Sequence, residues 1–205
     1  MDLYEFDGSY LRQNQGRTAG VDEAGRGPWA GPVVAAAVIL PINPRIPGLN
    51  DSKKLSSRKR EELFTQIFRE ALAVGVGVVT QDIIDNVNIL EATYIAMKNA
   101  IDSLSVVPCH VLVDGWPIPG LRLSQTSVIG GDGKSAVIAA ASIIAKVTRD
   151  RMMTEYSAEY PQYNFHKHKG YGTKEHRAAL LRFGPCPLHR KSFAPVRQVL
   201  ENTGG

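Results

Sequence analysis

Gly20-Val21-Asp22-Glu23-Ala24-Gly25-Arg26-Gly27-Pro28 contains two adjacent carboxylates followed by a glycine-flanked arginine. Two neighbouring acids repel each other and resist burial unless a cation neutralises them. Because Mg²⁺ and Mn²⁺ prefer oxygen ligands, this acidic pair is a candidate metal site. The glycines leave backbone amides open to another molecule, and Arg26 can pair with a phosphate. Taken alone, a solvated acidic pair in a turn is the alternative.

The residues on both sides of this stretch predict two strands, 17–23 and 31–40, most simply an antiparallel pair. Successive side chains on a strand face opposite ways, so Asp22 and Glu23 can serve one site only where the strand ends or bulges. Gly25 is placed to allow that. A third apolar stretch, 73–80, is typical of a buried strand.

Two more acids stand at the ends of predicted elements. The apolar stretch 110–113 predicts a strand that ends at Asp114, and this acid converges with Asp22 if the two strands are neighbours. A strand at about 122–129 leads to Asp132, just before a buried helix dense in small residues that begins near 136. An ordinary Asp-Gly turn is the alternative at Asp114.

Capping residues predict the starts of two further helices. Ser56 or Ser57 caps the first, and Asn88 with Glu91 caps the second. The entrance of the first helix is basic, which opposes the helix dipole unless an anion binds there. A solvated basic face is the alternative. The cationic residues at this helix entrance are Lys53, Lys54, Arg58, Lys59 and Arg60.

Length and composition favour one folded unit. The 205 residues, 43% of them hydrophobic, suit a single domain over 1–205 with a small helical extension over about 160–205. No apolar run is long enough to span a bilayer, and residues 1–7 carry acids rather than an apolar signal. We therefore expect a soluble, cytoplasmic protein, with a monomer as the default. Cys186 and His189 supply only half of a zinc site.

The charge of the chain is unevenly distributed. The net charge is +4, but residues 146–197 hold eleven Lys and Arg against four Asp and Glu, and four of the five histidines. Aromatic residues alternate with Lys and His in the loop 160–171, followed by a helix at about 173–183. This pattern predicts stacking on a nucleic acid and neutralisation of its charge. An ordinary basic surface is the alternative.

Gly133-Lys134-Ser135, between a strand and a helix, is similar to the end of a phosphate-binding loop. The Walker pattern requires a glycine five positions before Gly133, where this chain has Val128. A nucleoside triphosphatase is therefore disfavoured.

Five blocks of sequence together resemble bacterial ribonuclease HII, the type 2 ribonuclease H. They occur in the order of that family and span about residues 17–197. The blocks are VDEAGRG at 21–27, DSKKL at 51–55, VDG at 113–115, IAAASIIAKVTRD at 138–150 and HKGYGT at 168–173. The related ribonuclease HIII branch usually has Lys in place of Arg26 and Glu in place of Asp132.

The resemblance implies an α/β fold, a ribonuclease H-like mixed sheet flanked by helices, with the C-terminal extension contacting substrate. It implies cleavage of RNA in RNA–DNA hybrids and cutting 5′ of single ribonucleotides in duplex DNA, leaving a 3′-hydroxyl and a 5′-phosphate. It also implies roles in replication and ribonucleotide excision repair.

Site residues carried over from the resemblance fall into two groups. The metal ligands, for a two-ion Mg²⁺ or Mn²⁺ site, are Asp22, Glu23, Asp114 and Asp132. The substrate contacts are Gly25, Arg26 and Gly27 at the ribose 2′-OH, Tyr171 at the RNA-to-DNA junction, and Lys53, Lys54 and Arg190 at phosphates.

Two alternative functions remain open on the sequence alone. A nucleic-acid-binding module without catalysis would use the acids as a structural cation site and would bind in a salt-sensitive way. A DNA or Holliday-junction nuclease of the same fold could use the same carboxylates. Dependence of cleavage on the 2′-OH distinguishes the second from a ribonuclease H.

Overall fold

The computed structural model describes residues 2–42 and 46–203. Residues 1 and 204–205, at the ends of the predicted domain and extension, lie outside the described residues. The strands are β1 (Thr18–Ala24), β2 (Val33–Ile39), β3 (Ala73–Val79), β4 (His110–Asp114) and β5 (Ser124–Val128). The helices are α1 (Leu3–Gln13), α2 (Ser57–Glu70), α3 (Gln81–Val87), α4 (Ile89–Asp102), α5 (Ala136–Glu159), α6 (Phe165–His168), α7 (Lys174–Phe183) and α8 (Ala194–Thr203).

The strands form one mixed sheet in the order β3-β2-β1-β4-β5. The β1–β2 and β2–β3 pairs are antiparallel, whereas β4 is parallel to both β1 and β5. The predicted antiparallel pair and the mixed sheet are therefore confirmed. The prediction that 73–80 is a buried strand is wrong in detail, because β3 lies at the edge of the sheet and its Val78 is exposed.

Helix α5 covers one face of the sheet and lies against β1 and β2. This contact requires Gly20, because a Cβ at that position would overlap the backbone of Val137 and Ile138. The Ser135 hydroxyl caps α5, and Asp7 of α1 accepts a hydrogen bond from the Val137 amide at 2.9 Å. The helix predicted to begin near 136 is confirmed, and it extends to Glu159.

Helix α4 packs on the opposite face of the sheet, with α3 beside it. The Asn88 side chain caps α4 by accepting from the amides of Leu90 and Glu91, and Ser56 caps α2 in the same way. Both predicted caps are thus confirmed. Within the described residues, no helix is long and apolar enough to cross a membrane.

The helices after α5 pack beneath the loop 25–32. Isolated strand pairing between Ala30 and His189 joins this loop to the C-terminal segment. Half of the aromatic and histidine residues of the loop 160–171 are interior, which corrects the prediction that they stack on nucleic acid. Tyr163, Phe165 and His168 are buried, and His176 and His189 pack against them.

Candidate active site

The carboxyl ends of β1 and β4 bring two acids together. Val21 pairs with Val113 in parallel register, so Asp22 and Asp114 follow at the same edge of the sheet. The predicted neighbourhood of these strands is therefore confirmed. Pairing between β1 and β2 continues without a bulge, and β1 ends at Ala24, one residue after Glu23. The side chains of Asp22 and Glu23 start on opposite faces of β1. Because the strand ends here, both can reach one site.

A cavity of about 230 Å³ lies at this edge of the sheet. Eight of the predicted site residues line it: Asp22, Glu23, Gly25, Arg26, Gly27, Lys53, Asp114 and Tyr171. The structure therefore gathers the acidic pair, the glycine-arginine loop and the tyrosine around one space.

Asp132 lies beside the cavity rather than in its lining. Its side chain is 9% exposed and accepts a hydrogen bond from Lys53 Nζ at 3.1 Å. The charge of Asp132 is close enough to raise the pKa of Asp114. Lys54 does not line the cavity, since its ammonium points to Asp51 at 3.9 Å and is largely exposed.

Burial and mutual repulsion shift the carboxylates. Burial, then the charges of Glu23 and Asp114, raise the pKa of Asp22 well above its ordinary value. Burial also raises the pKa of Glu23 and of Asp114, although Arg26 opposes the shift at Glu23. Burial lowers the pKa of Lys53, but the hydrogen bond and charge of Asp132 outweigh that effect and raise it. The site therefore has an excess of confined negative charge.

The donor set fits a hard divalent cation. Carboxylate oxygens are the ligands that Mg²⁺ and Mn²⁺ prefer, and a bound cation would relieve the repulsion that raises these pKa values. Across 2–42 and 46–203, no three His, Cys, Asp or Glu side chains are arranged as a ready metal cluster. All four acids are instead hydrogen-bonded within the protein. Asp114 Oδ1 accepts from the Gly131 amide at 2.6 Å and Asp132 from Lys53. Asp22 Oδ1 accepts from the Glu23 amide at 2.7 Å, and Glu23 accepts from Arg26.

The glycine-arginine loop and Tyr171 line the same cavity. Gly25 has a φ of +99°, and a Cβ there would overlap the side chain of Arg149, so this position requires glycine. Arg26 Nη1 donates to Glu23 Oε1 at 3.4 Å. Tyr171 is 42% exposed, and Lys146 Nζ lies 5.7 Å from the centroid of its ring.

The structure does not place Arg190 where it could contact a phosphate. The side chain is fully buried, and its guanidinium donates to backbone carbonyls, including those of Gly25 and Arg26 at 2.6 and 2.9 Å. No donor is left facing solvent, so the prediction that Arg190 contacts a phosphate is wrong.

Sequence reasoning missed three polar residues that line the cavity, namely Ser52, Ser142 and Lys146. The hydroxyls of Ser52 and Ser142 lie 2.7 Å apart, and the Ser142 hydroxyl opposes the rise in the pKa of Asp22. A signal was present in the sequence, because Ser142 and Lys146 are polar residues four apart in an apolar run. That spacing puts them on one face of α5, toward the site.

A mixed five-stranded sheet that brings carboxylates to the ends of adjacent strands is the architecture of the ribonuclease H-like nucleases. The sequence model of one family of this class, ribonuclease HII, matches residues 19–196. The chain belongs to the ribonuclease HII family and is an endoribonuclease H.

Individual relatives agree with this assignment. The chain is 55% identical to the ribonuclease HII of Citrifermentans bemidjiense, over 98% of this chain and 87% of the relative. The crystal structure of ribonuclease H2 from Pyrococcus horikoshii is similar with a TM-score of 0.76 and 28% identity, over 90% of this chain and 97% of that one. Bst-RNase HIII in complex with Mn²⁺ has the same fold, with a TM-score of 0.71 and 19% identity, over 90% and 69% of the two chains.

Proposed function

We propose that this endoribonuclease cleaves the RNA strand of RNA–DNA hybrids and also cuts duplex DNA on the 5′ side of a single embedded ribonucleotide. Its products would carry a 3′-hydroxyl and a 5′-phosphate. The observation that carries the proposal is the shared cavity, where Asp22, Glu23 and Asp114 face the loop 25–27 and Tyr171.

The carboxylates Asp22, Glu23, Asp114 and Asp132 are proposed to hold two divalent ions, Mg²⁺ or Mn²⁺. When bound, such ions activate a water molecule and stabilise the leaving 3′ oxygen. Support comes from the oxygen donors and the excess negative charge of the cavity. Bst-RNase HIII is only 19% identical to this chain, so its similarity supports the fold and not the metal ligands.

The remaining residues of the cavity orient the substrate in this proposal. Arg26, 48% exposed at its side chain, and Lys53, 80% exposed, are cations that can meet phosphates beside the acids. The open amides of the loop 25–27 are suited to a ribose 2′-OH, and the ring of Tyr171 to packing on the sugar at the RNA-to-DNA junction. Replication and ribonucleotide excision repair in the cytoplasm are the setting for this activity.

The test uses end-labelled duplex DNA with one ribonucleotide, beside an all-DNA duplex of the same sequence, in Mg²⁺, in Mn²⁺ and in EDTA. We expect one metal-dependent cut 5′ of the ribonucleotide and none in the all-DNA duplex. Binding without cutting would favour the non-catalytic module, and equal cutting of both duplexes would identify a general nuclease.

A further inference from the structure

Two arginines are completely buried beneath the loop 25–32. Arg149 belongs to α5, and Arg190 lies in the segment between α7 and α8. They reach the loop from two different parts of the chain. Neither is used by the proposed chemistry, and neither faces the cavity.

Both guanidiniums are bound by backbone alone. Their seven hydrogen bonds all end on carbonyl oxygens, and both side chains donate to the carbonyl of Pro32, at 2.9 and 3.2 Å. The other acceptors are the carbonyls of Gly25, Arg26, Ala30, Gly31 and Lys169.

Burying two like charges side by side is unfavourable. Burial lowers the pKa of Arg149 to about 10, and burial with the Arg149 charge lowers that of Arg190 to about 9, so both stay protonated at neutral pH. Carboxylates act on them only at longer range, Asp150 on Arg149 and Asp85 on Arg190. An arrangement this costly indicates that the conformation of the loop itself matters.

The hydrogen bonds from Arg190 fix the direction of two peptide groups. Its Nη2 donates to the carbonyl of Gly25 and its Nη1 to that of Arg26. In a trans peptide the carbonyl and the following N–H point in opposite directions, and the described residues contain no cis bond. The amides of Arg26 and Gly27 therefore point away from the buried arginine.

These two amides are open on the side of the cavity. Both residues line it, and among residues 2–42 and 46–203 no protein acceptor binds either N–H. A guanidinium on the carbonyl side polarises each peptide group, which makes its N–H a stronger donor. Successive open amides of this kind bind oxygen atoms with partial or full negative charge.

We propose that Arg190, supported by Arg149, is a positioning residue for ribose selection. It holds the Arg26 and Gly27 amides in the cavity as a preformed donor pair for the 2′ oxygen of the ribonucleotide at the cut. The inference rests on the proposed function and adds the side chains that set its specificity.

The test compares a duplex with one ribonucleotide to the same duplex with a 2′-fluoro nucleotide there, since fluorine is a poor hydrogen-bond acceptor. Arg190→Lys keeps the charge, but its single ammonium has three donors and cannot reproduce the four hydrogen bonds that the planar guanidinium makes. We expect the ribo-to-fluoro ratio of kcat/KM to fall about tenfold, the equivalent of one good hydrogen bond. The ¹H–¹⁵N resonance of the Gly27 amide should shift in the free variant.

Tyr163→Phe is the matched control, because it removes another hydrogen bond to a carbonyl, Tyr163 Oη to Gly184 at 2.6 Å, whose acceptor lies outside the loop 25–32. It should lower the melting temperature and leave the ratio and the Gly27 resonance unchanged. If Arg190→Lys does not fold, Arg149→Lys decides the question in the same two measurements.

The outcomes separate the two ideas. If the wild type cuts all-DNA and ribonucleotide duplexes alike, the proposed function fails. If the wild type selects ribose and the arginine variants keep the same ratio and the same Gly27 resonance, only the positioning role is overturned.

Discussion

Asp22 and Asp114 lie side by side at one edge of the sheet because Val21 and Val113 are partners in the parallel pairing of β1 with β4. Their carboxylates consequently share one cavity, where each charge disfavours the other. A purely structural role would select against this arrangement, since isolated charges resist burial. A bound cation relieves the repulsion between the carboxylates, and this relief favours binding of the cation.

Replacing Asp22 by Asn should therefore separate activity from stability. We expect Asp22→Asn to lower kcat by roughly a thousandfold or more, because a charged oxygen ligand is lost. The melting temperature in EDTA should rise, because the raised pKa of Asp22 means that its ionised form destabilises the fold. Kinetics and thermal unfolding measure the two effects.

The exposed Asp102, at the end of α4, gives the control. Asp102→Asn makes the same chemical change away from the cavity and should alter neither quantity. Near-full activity of Asp22→Asn in Mg²⁺ would contradict the metal-site assignment.

Much of the fold could be predicted because its signals are local. The acids at strand ends and the caps at Ser56 and Asn88 all depend on residues close in sequence. The position of β3 at the sheet edge could not be predicted in this way, because strand order depends on contacts between distant segments. The interior position of the C-terminal aromatics has the same cause.

The site residues that could be predicted from the sequence are those, such as the acids, whose side-chain type itself indicates their role. Arg190 shows the limit, since a basic residue in a basic segment looks like a phosphate contact until its hydrogen bonds to the carbonyls of Gly25 and Arg26 are known. The pairing of Lys53 with Asp132, 79 positions apart in sequence, is likewise a tertiary contact. Neither the acceptors of Arg190 nor the partner of Lys53 can be identified from the neighbouring sequence.

Gly20 makes the closest approach of β1 to α5 possible, so Gly20→Ala should be severely destabilising. The new Cβ would overlap the backbone of Val137, which cannot move without shifting α5. We expect a loss of about 3 kcal/mol in the free energy of unfolding, measured with urea.

Gly8→Ala provides the contrast. Gly8 lies inside α1, and a Cβ there meets only the flexible end of Arg12, 3.2 Å away. Alanine favours a helix interior over glycine, so stability should rise by about 0.5–1 kcal/mol. Equal effects of the two substitutions would show that the strand and helix are not in such close contact.

Tyr171 should contribute most to cleavage at a single ribonucleotide embedded in DNA. Tyr171→Ala removes a ring that lines the cavity shared with the carboxylates, so kcat/KM should fall roughly tenfold more on single ribonucleotides than on long hybrids. Tyr171→Phe keeps the ring and should retain most of the preference. Equal losses on both substrates would contradict the role at the junction.

Asp7 should make stability decrease as the pH rises from about 4 to 6. Burial raises its pKa from 3.8 to about 6, despite hydrogen bonds from Ser135 and Val137 that lower it. Between these values the folded state binds a proton that the unfolded state has released, so the free energy of unfolding falls with pH, by about 3 kcal/mol at most. Asp7→Asn should remove this slope in urea unfolding at a series of pH values. Parallel curves for the variant and the wild type would refute the assignment.

Divalent ions should stabilise the folded protein through the same carboxylates that catalysis is proposed to use. A ligand that binds only the folded state adds about 1.4 kcal/mol when its free concentration is ten times its Kd. Titration with Mn²⁺ or Mg²⁺, followed by thermal unfolding without substrate, should therefore raise the melting temperature, and EDTA should reverse the rise. Asp114→Asn should reduce the shift, whereas Asp102→Asn should keep it. An undiminished shift in Asp114→Asn would place the ions elsewhere on the protein.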